Sequence, residues 1–273
     1  MKIFSVLKAG SFQNPHAQED YFIVSDKQTI FVVADGVSLD FDNGTSYPKH
    51  SGAGEVAKIF CEVVIDEANR RYEEFEDGDL AEIFEIGNKA VLKYNISQGR
   101  TKDTINYYDF DLFSATASFL LIKDSKAYWW SLCDSGVAIF RRGEKIFQSP
   151  GGWINFPKDW KEKAGEREKI IIRHKDYRNA VDKNGKLVGY GVADGEETAK
   201  IYLNTGVLDI NAGDLIFLNT DGFENYLDLE EFKSLFKLWP EDIDNQLETI
   251  VLEKSKEDPS KYGREKTLIV ISV

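Results

Sequence analysis

Ile30-Phe31-Val32-Val33-Ala34-Asp35-Gly36 and Leu215-Ile216-Phe217-Leu218-Asn219-Thr220-Asp221-Gly222 follow one plan. Each is an apolar run too short for a helix, stopped by an aspartate and a glycine, and each reads as a buried strand. Tyr128–Cys133 ends in a similar way, running into Asp134-Ser135-Gly136. Glu19-Asp20 stands directly before the apolar stretch Tyr21–Val24. Taken singly, Asp-Gly after a strand is the ordinary mark of a tight turn. Taken together, these ends can meet at one edge of stacked sheets. Four or five carboxylates a few ångströms apart cannot all stay ionised without cations. Hard oxygen ligands of this kind select Mg²⁺ or Mn²⁺, and Gly36 lets the backbone carbonyl come close to an ion.

Working outward, Thr116–Lys123, Ala127–Cys133, Val137–Arg141 and Thr267–Val273 are further strands. The short connectors Lys123–Lys126 and Asp134–Gly136 suit antiparallel hairpins. Two helical patterns lie between the second and third strands. Val56, Phe60, Val63 and Val64 mark the first. In the second, Asp79 is placed to cap a helix whose Leu80, Ile83, Phe84, Gly87, Val91 and Tyr94 share a face. Leu229–Trp239 is a third helical region, and Ile243, Leu247, Ile250 and Val251 mark a fourth after Pro240. Strands come in groups and helices in pairs, so the expected class is α+β, with antiparallel sheets and helix pairs packed outside. Residues 1–273 are read as a single domain, with an irregular flap or insertion at about 149–200 rich in Gly, Trp and charge.

The ordered set of motifs resembles the metal-dependent protein phosphatases, the type 2C (PPM) serine/threonine phosphatases, in a divergent form close to the bacterial ones. The resemblance rests on Gln18-Glu19-Asp20-Tyr21-Phe22, Val33-Ala34-Asp35-Gly36, Ser114-Ala115-Thr116-Ala117, Cys133-Asp134-Ser135-Gly136, Gly213-Asp214-Leu215 through Asp221-Gly222-Phe223, and Thr267–Ile271, and spans nearly the whole chain. It implies a central antiparallel β-sandwich flanked on both sides by pairs of α-helices, in four layers. It also implies a centre of two divalent cations, Mn²⁺ or Mg²⁺, at one end. Asp35 would bridge them, Gly36 would lend its carbonyl, and Asp221 would be a terminal ligand. Glu19 and Asp20 would hold ligands or waters, and Asp134 would serve a third, more labile ion. The implied activity is hydrolysis of phosphoserine and phosphothreonine in a protein partner by a metal-activated water, with no protein nucleophile.

Three positions depart from the family pattern. The closing metal aspartate is replaced by Arg264, beside Glu265, whose longer side chain is a candidate ligand. The phosphate-binding arginine is replaced by Pro15, followed by His16, a candidate phosphate contact or a solvated turn histidine. Val37-Ser38-Leu39 replaces the usual glycines after Asp-Gly. The alternative reading is therefore a catalytically degenerate phosphatase fold that serves as a binding or regulatory module. Two metals bridged by Asp35 would favour the enzyme, and an ion pair from Arg264 to Asp35 or Asp221 would favour the module.

Other chemistries find no support. There is no Cys with Arg six positions on, no Gly-x-Ser-x-Gly elbow, no zinc helix and no Gly-rich phosphate loop with lysine. Acidic residues outnumber basic ones 47 to 34, for a net charge of −13, which repels nucleic acid. Cys61 and Cys133 read as reduced core residues. With no segment of about 18 apolar residues and too short an apolar N-terminal run for a signal peptide, a cytoplasmic monomer without a membrane partner is expected. Trp129 and Trp130 are expected on opposite faces of a strand, Trp153 and Trp160 as loop anchors or groove lining, and Asp109 and Asp111 in an exposed loop.

Overall fold

The structure, a computed structural model, describes residues 1–10, 16–37, 46–152, 155 and 165–273, without the side chain of Glu166. Pro15, Ser38, Leu39, Trp153 and Trp160 lie outside the described residues. The strands are β1 (Lys2–Lys8), β2 (Asp20–Val24), β3 (Ile30–Val37), β4 (Ser114–Lys123), β5 (Lys126–Leu132), β6 (Gly136–Arg141), β7 (Glu144–Gln148), β8 (Ala180–Val181), β9 (Leu187–Val188), β10 (Asn204–Asp209), β11 (Leu215–Asn219) and β12 (Lys266–Ser272). The helices are α1 (Gly52–Arg71), α2 (Asp79–Ser97), α3 (Glu166–Asp176), α4 (Asp221–Glu224), α5 (Glu230–Leu238), α6 (Ile243–Glu257) and α7 (Pro259–Tyr262).

Two five-stranded sheets carry the fold, ordered β1-β12-β11-β6-β7 and β10-β5-β4-β3-β2. Every pairing within them is antiparallel. Side chains alternate across a strand, and the inner strands β3, β4, β11 and β12 are apolar on both faces because both faces are covered. Along β3, Phe31 and Val33 meet the opposite sheet, while Ile30, Val32 and Ala34 meet α1 and α2. Along β12, Ile269 and Ile271 face inward, while Leu268 and Val270 meet α5 and α6. The expected sandwich between helix pairs is thus the observed architecture.

Trp129 packs between the sheets and Trp130 under the helices, as strand alternation requires. Trp130 stacks on Phe119 (centroids 5.4 Å apart) and takes Phe60 and Phe84 edge-on at 5.8 Å. Such pairs each add about 0.5–1.5 kcal/mol beyond the area they bury. Cys61 and Cys133 are buried and free. Ser51 caps α1 by accepting from the Gly54 amide at 3.0 Å.

Two expectations need correction, and three strands of the two sheets were not expected. Asp79 does not cap α2. It is the first helical residue, and its carboxylate accepts from the Glu76 amide and pairs with Arg71, a cation that outbids the helix's own N–H groups. β1, β7 and β10 were not expected; all three are edge strands in which polar residues interrupt the apolar run. Asp111 is not in an exposed loop; Asp109 is. Asp111 is fully buried, accepting both guanidinium N–H groups of Arg178 at 2.7 Å and lying 2.7 Å from His174 Nδ1. Arg178 also lies 3.3 Å from buried Asp194. These ion pairs tie the 149–200 segment to the chain before β4.

Candidate metal centre

The strand ends expected to converge do so. Asp20 and Asp35 are direct cross-strand partners on β2 and β3. The Thr220 hydroxyl, just past β11, donates to Asp20 Oδ2 at 2.8 Å and accepts from the Thr267 amide at 2.9 Å. One hydroxyl therefore ties the two sheets together at the site. Thr220 was missed as a site residue; its signal was the polar residue between an apolar strand and Asp221. Ser51 Oγ donates to Glu19 Oε1 at 2.9 Å, so the N-terminus of α1 helps set the Glu19 carboxylate. The Glu19 amide donates to Glu265 Oε2 at 3.1 Å, which brings the last strand's glutamate into the group.

Two glycines make this closeness possible. A Cβ on Gly36 would stand 2.6 Å from the Ala53 carbonyl, and the Gly36 amide donates to the Glu19 carbonyl at 2.9 Å. A Cβ on Gly222 would stand 2.1 Å from the Glu265 carbonyl oxygen. Side chains at either position would push the carboxylate-bearing strand ends apart.

The electrostatics record the crowding. Burial pushes the Asp35 carboxyl well above its ordinary range, reinforced by the charges of Asp20, Asp221, Asp134 and Glu19. Asp20 is raised to about 7, first by burial and then by Asp221, against the bond from Thr220. Glu265 is raised to about 8 by burial and Asp20. Asp134 is raised to about 6 by burial and Asp221. Asp134 Oδ1 and Glu265 Oε1 are buried without a hydrogen-bond partner.

Two cationic side chains enter the same space. Arg264, its side chain 55% exposed, pairs with Asp221. Lys266 is fully buried at the start of β12 and donates to the Arg264 carbonyl. Burial lowers its amine to about 8, against the pull of Asp20 and Asp221. Sequence reading missed Lys266, because a lysine between Glu265 and Thr267 looks like an edge charge until the strand is placed inside. His16 is half-buried, its Nδ1 2.6 Å from the Ala17 carbonyl oxygen and 3.9 Å from Glu265 Oε2.

The carboxylates of Glu19, Asp20, Asp35, Asp134, Asp221 and Glu265 thus share the site with two cations, leaving four negative charges uncompensated when all are ionised. The all-oxygen donor set and the two orphaned buried oxygens fit hard divalent cations. Among the described residues, however, no three His, Cys, Asp or Glu side chains form a ready-made metal-binding group. The residues therefore fit such ions by chemistry and charge, while their side-chain arrangement does not by itself enclose one.

No protein-family model matches the sequence. No curated protein matches it either. Solved structures do match in fold. The Streptococcus agalactiae (S. agalactiae) serine/threonine phosphatase aligns over 100% of this chain and 99% of its own, with a TM-score of 0.60 at 13% identity. The photosystem II phosphatase PBCP aligns over 100% and 98%, with a TM-score of 0.60 at 14% identity. The catalytic domain of the serine/threonine phosphatase PstP, crystallised with two manganese ions, aligns over 98% and 96%, with a TM-score of 0.56 at 14% identity. The chain has the fold of the PPM serine/threonine phosphatases, which bears out the resemblance read in the sequence at the level of fold.

Proposed function

We propose that this chain is a metal-dependent phosphatase of phosphoserine and phosphothreonine in proteins. The observation that carries the reading is the position of Asp35. Its carboxyl is half-buried and faces the charges of Asp20, Asp221, Asp134 and Glu19, an arrangement whose repulsion divalent cations relieve. Asp35, Asp221, Asp20, Glu19, Glu265 and the Gly36 carbonyl would hold two such ions, Mn²⁺ or Mg²⁺, with Asp134 available to a third. Bound there, the ions would supply Lewis acidity to phosphoryl oxygens and lower the pKa of water.

The chain's own residues do the positioning. Thr220 locks Asp20 from the opposite sheet, and Ser51 holds Glu19. Arg264, half in solvent at the rim, can exchange Asp221 for a phosphate, which a guanidinium binds through two N–H groups. His16, beside Glu265, is the other candidate for that contact. The partner in this reading is a phosphorylated protein met by a monomeric, cytoplasmic enzyme. Two buried free thiols and the lack, among the described residues, of any helix long and apolar enough to cross a membrane are in keeping with it.

The Arg264–Asp221 pair favours the second reading, a degenerate binding module. It carries less weight than the carboxylate cluster. An ion pair this exposed contributes roughly 0–1 kcal/mol and yields readily to a divalent cation. It also engages only one of six carboxylates.

The test is turnover of a small aryl phosphate. Hydrolysis should require Mn²⁺ or Mg²⁺, stop with chelator, and be lost in Asp35→Asn and Asp221→Asn. Cation binding without turnover would select the module. Full activity in Asp35→Asn would remove the metal mechanism.

A further inference from the structure

Between α5 and the β1-β12-β11-β6-β7 sheet lies a cavity of about 510 Å³ that the carboxylate site does not use. Its apolar lining is exposed Leu238 with half-buried Leu215 and Trp239, set over the buried rings of Phe140, Phe217 and Phe236. Its rim is basic. Lys2, Arg142, Lys233 and Lys237 line it, against one acidic side chain, Glu230, which is already paired with Lys233. In a chain of net charge −13, an excess of three cationic side chains over acidic ones around one hollow is a local reversal of sign. Lys2 sits 5.8 Å above the ring of Trp239, which also lines the cavity. Arg142 and Lys237 are exposed and have no ion-pair partner among the described residues.

We propose that this cavity binds a small amphipathic organic anion, an apolar body with one carboxylate or phosphate-type head. The volume suits a small molecule, and ligand cavities of this kind pair apolar walls with a few fixed polar groups. The body would lie against Leu215, Leu238 and Trp239, and the head would meet Arg142 and Lys237. A neutral apolar ligand would leave the basic rim unanswered, and a small inorganic anion would leave the apolar lining unfilled. The cavity is separate from the carboxylate cluster. β11 runs from Leu215 at the cavity toward Asp221 at the cluster, roughly 20 Å at about 3.4 Å per residue. Binding here therefore does not depend on the phosphatase reading.

Calorimetric titration of the full chain, in chelator so that no divalent ion recruits anions to the acidic end, tests this with octanoate, octylphosphonate and octanol. At least one of the two anions should bind at a single site, at least about tenfold more tightly than octanol, a margin of 1.4 kcal/mol. The preferred anion assigns the head group as carboxylate or phosphate-type. The double substitution Arg142→Gln with Lys237→Gln, both on exposed side chains, should weaken that anion about tenfold or more and leave the melting temperature in place. Octanol binding as tightly as both anions, the double variant binding the anion unchanged, or no binding of either anion would each overturn the proposal.

Discussion

Taking the chelator-treated protein from about pH 6 to about pH 8 is expected to destabilise it by roughly 3 kcal/mol, opposite to the usual trend for a carboxylate-rich protein. The reasoning starts from Glu265, which ionises near 4.5 in the unfolded chain but only near 8 in the fold. Through most of that window the folded state holds close to one more proton than the unfolded one, falling to about half a proton at pH 8. A full pH unit then costs about 1.4 kcal/mol, and Glu265 alone accounts for a loss of about 2 kcal/mol by pH 8, where it is half ionised. Asp20, raised from 3.8 to about 7, acts in the same direction until pH passes that value. The two repel each other, so their effects overlap and do not add in full. A folded-state pKa raised above its unfolded value gives a contribution present at low pH and lost on the way up through the folded value, as both acids do here. Lys266 behaves oppositely. Its folded value, lowered from 10.5 to about 8, means that stability lost to its burial is recovered as pH rises from about 8 towards 10.5. The metal-free protein should therefore be least stable near pH 8. Urea unfolding at about pH 6, 8 and 10 measures this. Mn²⁺ at about 100 times its dissociation constant should restore about 2.7 kcal/mol near pH 8 and much less near pH 6, where protons compete for the same oxygens. A metal-free stability that is equal or higher at pH 8 than at pH 6 would refute the crowding of these carboxylates.

Replacing Arg264 by Ala should change folding stability by no more than about 1 kcal/mol, because the lost pair is exposed, yet should tighten Mn²⁺ binding measured by calorimetry. Unaltered Mn²⁺ affinity would mean that Arg264 does not compete at Asp221. Asp111→Ala should cost about 3–5 kcal/mol in urea unfolding, since it strands Arg178 in a buried setting without its bidentate partner. A loss below about 1 kcal/mol would show that these ion pairs do not anchor the 149–200 segment.

The main strands and both helix pairs were legible in the chain because apolar periodicity is local. Phe31 and Val33 alternate with Val32 and Ala34 whatever surrounds them, and the fold needs both faces. The candidate site was half legible, because an aspartate closing a buried strand announces itself in the same short window. Asp111 and Lys266 were illegible for one reason. Each is a charged residue whose burial depends on partners far along the chain: Arg178 and His174 for the first, Asp20 and Asp221 for the second. The basic cavity is the same case, because Lys2, Arg142 and Lys237 meet only when β1, β6 and α5 are packed.

By itself, then, the sequence determined which segments become buried strands and helices and which acids stand at their ends, since those depend on spacing and side-chain chemistry over a few residues. Tertiary structure alone decided that Arg264 reaches Asp221, that Lys266 is interior and that Thr220 holds Asp20 from the opposite sheet. The physical reason is that desolvation and Coulomb energies depend on distances in space, and those distances exist only once the two sheets have closed on each other.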